Sequence, residues 1–283
     1  MTIDLVFITY NRLHYTKFAL DSILADPDEM FSLTIWDNGS TDGTIEYLKN
    51  EVSDPRISDM HFSDENIGQT AAVNTIWSRS KADLLGKLDN DCLMTPGWTK
   101  TLAEAHRDIE KLGVVACWHF FEDDFDEKRA SGKIQTFGRH RIFRHPWTCG
   151  TGLLVKNETY QRLGPIESKA MTKYWLQMAT AGYINGFYYP LIYQEHMDDP
   201  KSRYAAIKTQ EDFAKARQTT VGLGAGRYDD MEGRFGWRQE IVRNLLDDPY
   251  DPAYYTGLGH KVRRLKKKLA IGKSVRTMQG ATR

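Results

Sequence analysis

The chain has 283 residues, 41% of them hydrophobic, enough for one large α/β domain or two small ones. Its 38 basic and 38 acidic residues balance, but 9 bases and no acid lie between His260 and Arg283, so the rest carries 29 against 38, a net of −9. That acidic body argues against nucleic acid as a partner, and no apolar run is long enough to span a membrane.

Ile3–Thr9 is apolar and rich in β-branched and aromatic residues, so it reads as a buried strand. It stops at Tyr10-Asn11-Arg12. Leu13–Leu24 carries Phe18, Leu20, Ile23 and Leu24 at helical spacing. Leu33–Trp36 is a short strand closed by the turn Asp37-Asn38-Gly39-Ser40. Thr41 or Asp42 then caps a helix running to Asn50. Arg56–Phe62 reads as a strand, Asp64–Gly68 as a loop, and Gln69–Ser80 as a helix with Ala72, Val73, Ile76 and Trp77 on its apolar side. Leu84–Leu88 is a strand that ends abruptly in Asp89-Asn90-Asp91. A helix from Trp98 to Lys111 and a strand Val114–Trp118 follow.

The second half is more polar. Phe120–His145 reads as loops with a hairpin around Ile134–Phe143. Thr148–Gly152 leads into a strand Leu153–Lys156, and its glycines allow a ligand to approach the backbone. Lys169–Ala181 is a helix closed by Gly182. Phe187–Tyr193 is an aromatic strand ending in Gln194-Glu195-His196. Asp212–Arg217 and Arg238–Leu246 look helical. Gly222–Arg227 follows no strand and opens no helix, so it reads as a flexible loop or lid. The tail from His260 is a basic helix with Val262, Leu265 and Leu269 at near-helical spacing. Such a tail suits an anionic membrane surface at the inner face of a membrane. Cys92, Cys117 and Cys149 have no metal-like spacing and read as reduced thiols of a cytoplasmic protein. The N-terminus lacks the basic and apolar regions of a secretory leader.

Strands alternating with helices imply βαβ units and a mostly parallel sheet. Ligands then bind beyond the carboxyl ends of the strands. Thr9–Asn11, Asp37–Asn38 and Asp89–Asp91 all fall at such ends and are expected to line one crevice. In an extended chain Asp89 and Asp91 point to the same side. Two carboxylates at one point call for a cation, and hard oxygen ligands suit Mg²⁺ or Mn²⁺ bridging to substrate phosphates.

The order of motifs resembles the family 2 glycosyltransferases with a GT-A fold. The carrying residues are Phe7–Arg12, Trp36–Thr44, Glu65–Gly68 with Asn74, Leu88–Asp91 and Gly150–Val155, spread over roughly the first 160 residues. The resemblance implies a catalytic domain over 1–205, with a nucleotide-sugar half at 1–118 and an acceptor half at 119–205. A helical extension with the basic tail would occupy 206–283. It implies a UDP-, GDP- or dTDP-sugar donor, a saccharide or lipid-linked hydroxyl acceptor, and a divalent ion on Asp89 and Asp91. His196 is a further candidate ligand. The donor would be held among Thr9, Tyr10, Asn11, Arg12, Asp37, Asn38, Asn66, Gly68, Asn74, Asp89 and Asn90. Trp118 and His119 would border the sugar pocket.

Two features depart from the family pattern. Asp37-Asn38 stands where many members carry two aspartates, so the base is left open. The acidic pair expected before Ala181-Gly182 is replaced by Ala170-Met171-Thr172-Lys173. Either Glu167, one turn upstream, serves as the base, or the configuration is retained and no such base is needed. A silent nucleotide-sugar binder or scaffold remains an alternative for that reason. A sugar-phosphate nucleotidyltransferase would want a glycine-rich basic loop after the first strand, and a dinucleotide oxidoreductase a Gly-x-Gly-x-x-Gly turn. Neither is present at Thr9–Arg12.

Overall fold

The structure is a computed structural model that describes residues 1–27, 31–167, 171–199, 201–215 and 228–263. A nine-stranded sheet forms the centre. Its strands are β1 (Ile3–Thr9), β2 (Phe31–Asp37), β3 (Ile57–Phe62), β4 (Leu84–Asp89), β6 (Leu112–Ala116), β7 (Ile134–Phe137), β8 (His140–Arg144), β9 (Leu153–Lys156) and β10 (Ile184–Tyr189). Their spatial order is β3-β2-β1-β4-β9-β6-β10-β8-β7. A separate ribbon pairs β5 (Cys92–Met94) with β11 (Gln194–His196) in antiparallel register.

The α/β architecture matches the expectation, but the sheet is mixed. Four neighbouring pairs are parallel and four antiparallel. The antiparallel pairs come from β9, inserted between β4 and β6, and from the hairpin β7–β8. β9 is buried along its whole length and reads as a continuous apolar run, the pattern of a parallel strand, so its antiparallel direction was not legible in the sequence.

Alternation along β1 sorts its side chains between two cores. Ile3, Leu5 and Phe7 join Tyr15, Leu20 and Ile23 of α1 (Leu13–Leu24) and Trp98 and Leu102 of α4 (Trp98–Asp108) on one face. Val6 and Ile8 join Val73 and Trp77 of α3 (Gln69–Trp77) and Trp175 of α7 (Met171–Thr180) on the other. The remaining helices are α2 (Thr44–Asn50), α5 (Glu127–Ala130), α6 (Asn157–Leu163), α8 (Gln210–Lys215) and α9 (Tyr228–Asp247). Val242, Leu245 and Leu246 of α9 are buried in the second core. In β4, Gly86 faces the Leu5 and Leu154 side chains, which fill the space a Cβ would need.

Two local expectations are corrected. The aromatic strand expected over Phe187–Tyr193 runs instead from Ile184 to Tyr189. It ends at Tyr189, because Pro190 has no N–H to continue the ladder. Gln194–His196 then forms β11 in the other sheet. Helix α2 is capped by Gly43 at φ 91°, not by Thr41 or Asp42. Asp42 instead accepts from the Thr44 N–H at 3.2 Å and from the Leu13 N–H at 2.8 Å, so one carboxylate starts two helices. Ala170, Lys169, the loop Gly222–Arg227 and the tail from residue 264, with Leu265 and Leu269, lie outside the described residues. Residues 257–263 are helical, and Val262 is exposed. No described helix is long and apolar enough to cross a membrane.

His106 of α4 is fully buried, with Nε2 3.0 Å from the Leu154 carbonyl oxygen and no partner for Nδ1. Burial pushes its pKa from 6.5 down to about 3. His145, also buried, is pushed down to about 3 for the same reason. Between those values the unfolded chain holds protons that the folded chain refuses. Stability therefore falls as pH falls through the window from about 6.5 to 3, by about 1.4 kcal/mol per pH unit for each such group. Urea denaturation at about pH 7 and about pH 5 checks this, with a lower midpoint expected at the acid end. His106→Leu should flatten the dependence; an unchanged slope in that variant would remove His106 from the account.

Candidate functional site

The strand β4 ends at Asp89, and residues 90–91 form a turn into β5. The extended geometry expected for Asp89-Asn90-Asp91 is therefore absent, and the two carboxylates meet different cations. Asp89 Oδ1 is paired with the Nζ of Lys87, a lysine only 1% exposed. Its backbone N–H donates to Thr151 Oγ1 at 2.9 Å. Burial raises the pKa of Asp89, and Lys87 opposes that rise.

Asn90 fixes the turn. Its Nδ2 lies 3.1 Å from Thr9 Oγ1, 3.0 Å from the Asn11 carbonyl oxygen and 3.1 Å from Thr16 Oγ1. Those bonds tie the end of β4 to the end of β1. Thr9 and Asn90 are buried, so their polar groups serve each other.

Asp91 is the centre of a denser cluster. Arg12 Nη1 is 3.0 Å from its Oδ2, and His196 Nε2 is 3.5 Å from the same oxygen. Cys92 Sγ is 3.5 Å from Oδ1. Arg12 can reach because Asn11 and Arg12 both sit in the left-handed region, at φ 54° and 62°, so the chain leaves β1 in a tight bend. The same Nη1 lies 2.5 Å from Asp198 Oδ2. His196 arrives through the ribbon, where it stands directly across from Cys92. Burial, with Arg238, pushes the His196 pKa down to about 3, so its ring is neutral at pH 7. Arg238 of α9 binds Asp199 Oδ2 at 3.0 Å and touches His196 Nδ1 at 3.2 Å.

The loops after β1 and β2 are stitched together. The Asn11 N–H donates to Ser40 Oγ at 2.7 Å, and Asn11 Oδ1 accepts from the Thr41 N–H at 2.8 Å. Asp37 accepts from the N–H groups of Gly39 and Ser40 at 3.0 and 2.8 Å. Burial raises its pKa, and the Ser40 hydroxyl opposes the rise. Asn38 Oδ1 accepts from Trp36 Nε1 at 3.1 Å. Tyr10 is half-buried beside this crevice.

The remaining candidates are less central. Asn66 Oδ1 accepts from the Gly68 N–H at 2.9 Å, and Gly68 opens α3 at φ 83°. Asn74 grips the backbone of Ile166, donating to its carbonyl at 2.9 Å and accepting from its N–H at 3.0 Å. It thereby anchors the residue before Glu167, which is itself exposed. A cavity of about 170 Å³ opens beside the Asp91 cluster, lined by His119, Phe120, Phe121, Tyr193, Glu195 and His196 among others. The His119 and His196 rings are 4.8 Å apart. His119 is half-buried, with a pKa lowered by desolvation and a buried Nδ1 that has no partner. Trp118 is fully buried and packs edge-on against Phe120 and Phe187, so it backs the cavity from the core.

Sequence reasoning missed Lys87, Cys92, Asp198, Asp199 and Arg238. Lys87 was legible as a charge inside an apolar strand. The others depend on a late segment and a distant helix meeting the β4 turn.

The donor set fits a divalent ion. Among the described residues, Asp91, Cys92 and His196 offer ligand atoms that all lie within 4.8 Å of one another. Asp198 is buried, and its Oδ1 has no hydrogen-bond partner. An unpaired buried carboxylate oxygen beside such a cluster is costly unless a cation can reach it. Asp89 is outside that cluster, held by Lys87.

The fold resembles solved structures of glycosyltransferases. The mannosyltransferase PcManGT of Pyrobaculum calidifontis, in complex with GDP-Man and Mn²⁺, is similar with a TM-score of 0.58 at 19% identity, over 98% of this chain and 82% of that one. GalNAc-T7, with UDP, GalNAc and Mn²⁺, gives a TM-score of 0.54 at 12% identity, over 69% of this chain and 44% of that one. TarS of S. aureus gives 0.50 at 15% identity, over 76% of this chain and 38% of that one. The chain thus spans less than half of the last two proteins. At such identities the likeness carries the fold alone. Comparison of the sequence with curated proteins gives no match. Residues 4–166 match the model described as Glycosyl transferase family 2, more than half of the chain, and the chain belongs to that family.

Proposed function

We propose that this protein transfers a sugar from a UDP-, GDP- or dTDP-linked donor to a hydroxyl of a saccharide or lipid-linked acceptor. A divalent ion, Mn²⁺ or Mg²⁺, would be held by Asp91 and His196, with Asp89 at its margin. The observation that carries the reading is the gathering of Asp91, His196 and Arg12 beyond the carboxyl ends of β1 and β4, in a chain of family 2. Two similar structures were determined with Mn²⁺ and a nucleotide or nucleotide sugar, which supports the donor class.

When bound, the ion would offset the negative charge that grows on the leaving diphosphate. The chain's own groups do the rest. Arg12 sits beside Asp91 and would reach the same diphosphate as a second cation. Asp89 would accept from the ribose hydroxyls, with Lys87 opposing the rise in its pKa that burial causes. The stitched loops at Thr9–Arg12 and Asp37–Asn38 would present backbone and amide groups to the base. The aromatic cavity beside His196 suits a sugar ring, whose C–H faces stack on Phe and Tyr. Glu167, exposed and anchored through Ile166, would take the proton of the acceptor hydroxyl.

The basic stretch beginning at His260 would meet an anionic membrane surface, each base contributing about 1 kcal/mol near it. Liposome sedimentation should then require anionic lipid, weaken with salt and vanish on truncation after Gly259. Equal sedimentation of the truncated chain would show that the anchor is elsewhere.

Asp91→Asn should lower metal-dependent turnover by about 100-fold or more, the usual cost of losing a preorganised electrostatic contact. Retention of full activity by that variant in chelator would overturn the metal reading. Glu167→Gln should cost about 100-fold in kcat at unchanged donor KM. A Glu167→Gln enzyme as fast as the parent would remove that residue from the reaction and leave a retaining route.

A further inference from the structure

The group of metal-capable atoms around Asp91 contains a sulfur, and nothing in the proposed reaction requires one. Cys92 follows Asp91 directly and stands opposite His196 in the β5–β11 register. Directly opposed residues of an antiparallel pair present their side chains on the same face, with Cβ atoms about 5 Å apart. The register therefore forces a thiol and an imidazole together, with the Asp91 carboxylate beside both.

The spacings suit a tetrahedral ion. With a metal–sulfur bond of about 2.3 Å and metal–oxygen or metal–nitrogen bonds of about 2.0 Å, ligand atoms are held about 3.3–3.5 Å apart. Cys92 is 1% exposed, and its Sγ lies 3.5 Å from Asp91 Oδ1. His196 Nε2 lies 3.5 Å from Asp91 Oδ2, the other oxygen of the same carboxylate. One ligand atom from each of the three residues falls within 4.8 Å of the others, so a short inward movement brings them to an ion.

We propose that Cys92 is a metal ligand, and that Asp91, Cys92 and His196 together select thiophilic borderline ions of the Zn²⁺ and Co²⁺ class over Mg²⁺. The inference rests on the metal site proposed above and departs from its Mn²⁺ or Mg²⁺ assignment by placing Zn²⁺ and Co²⁺ ahead of both. Thiolate and imidazole favour Zn²⁺ and Co²⁺, whereas Mg²⁺ demands an oxygen octahedron. Binding releases one proton, because the thiol must ligate as thiolate.

Two arginines touch the cluster, and each keeps a second carboxylate partner when it leaves. Arg12 keeps Asp198 at 2.5 Å when it moves off Asp91. Arg238 keeps Asp199 at 3.0 Å when it moves off His196. The second move is required. A metal on Nε2 puts the ring proton on Nδ1, where a guanidinium cannot accept it. Asp198 Oδ1, buried and without a partner, is the remaining oxygen within the arginine-bridged group.

The test is the absorption spectrum of the full-length chain titrated with Co²⁺. A sulfur-to-cobalt charge-transfer band in the near ultraviolet is expected. It should be lost in Cys92→Ser and kept in Cys117→Ser and Cys149→Ser. Mn²⁺ binding, followed by electron paramagnetic resonance under Zn²⁺ competition, should show the Zn²⁺ preference reduced on the order of tenfold in Cys92→Ser. Should that variant misfold, a cadmium-NMR shift on the unaltered chain reports sulfur ligation directly. Bound Co²⁺ without the band, or cadmium without the sulfur shift, overturns the role of Cys92 and leaves the oxygen-and-imidazole site standing. Binding of no divalent ion at all overturns both.

Discussion

The interaction on which the rest depends is the neutralisation of carboxylates at the carboxyl edge of the sheet. Asp89, Asp91, Asp198 and Asp199 converge there, and each is paired with a specific cation. Lys87 takes Asp89, Arg12 takes Asp91 and Asp198, and Arg238 takes Asp199. Removing one member of such a partly buried set leaves an uncompensated charge, which is far more costly than the pair is favourable. This constraint explains otherwise awkward local features. Arg12 and Asn11 accept left-handed backbone angles to deliver a guanidinium, and a lysine is buried inside a strand.

The fold makes this convergence possible by using two sheets. The large sheet brings β1 and β4 side by side, in parallel register from Ile3 opposite Leu84 to Ile8 opposite Asp89. The two motifs after those strands are then neighbours by construction. The ribbon is a second device. The chain breaks at Pro190, leaves the large sheet, and returns through β11 to lie against the three residues that follow the Asp89–Asp91 turn. His196, Asp198 and Asp199 therefore reach the site only because Cys92–Met94 continues as a strand after the turn.

Much of this was readable in the sequence where a residue's pattern reported its own environment. The bounds of β1, α1 and β9 agree with their apolar patterns, because a strand buried on both faces or an amphipathic helix writes its period into the chain. The order of polar clusters at strand ends likewise pointed to one crevice. The internal economy of those clusters was not readable. Asn90 looked like a ligand-facing residue between two acids, yet its amide is spent on Thr9, Asn11 and Thr16. Asp37 closes its own loop, and Asn74 holds Ile166. A polar side chain near a site and one that builds the site have the same composition, and only their partners separate them. Asp198 and Arg238 were invisible because no local pattern records a contact 186 or 42 residues away.

The same charge pattern bears on how the site changes when a cation arrives. Each arginine in the cluster has one carboxylate or imidazole inside it and one carboxylate outside it. A cation that displaces both arginines therefore breaks two contacts but exposes no new unpaired charge, since Asp198 and Asp199 remain as partners. Arg238 sits on α9, whose Val242, Leu245 and Leu246 are rooted in the core. A change in its contact with His196 is thus a change in how the C-terminal helix holds the site. The electrostatics that neutralise the carboxylate cluster also link the latest segment of the fold to the first strand.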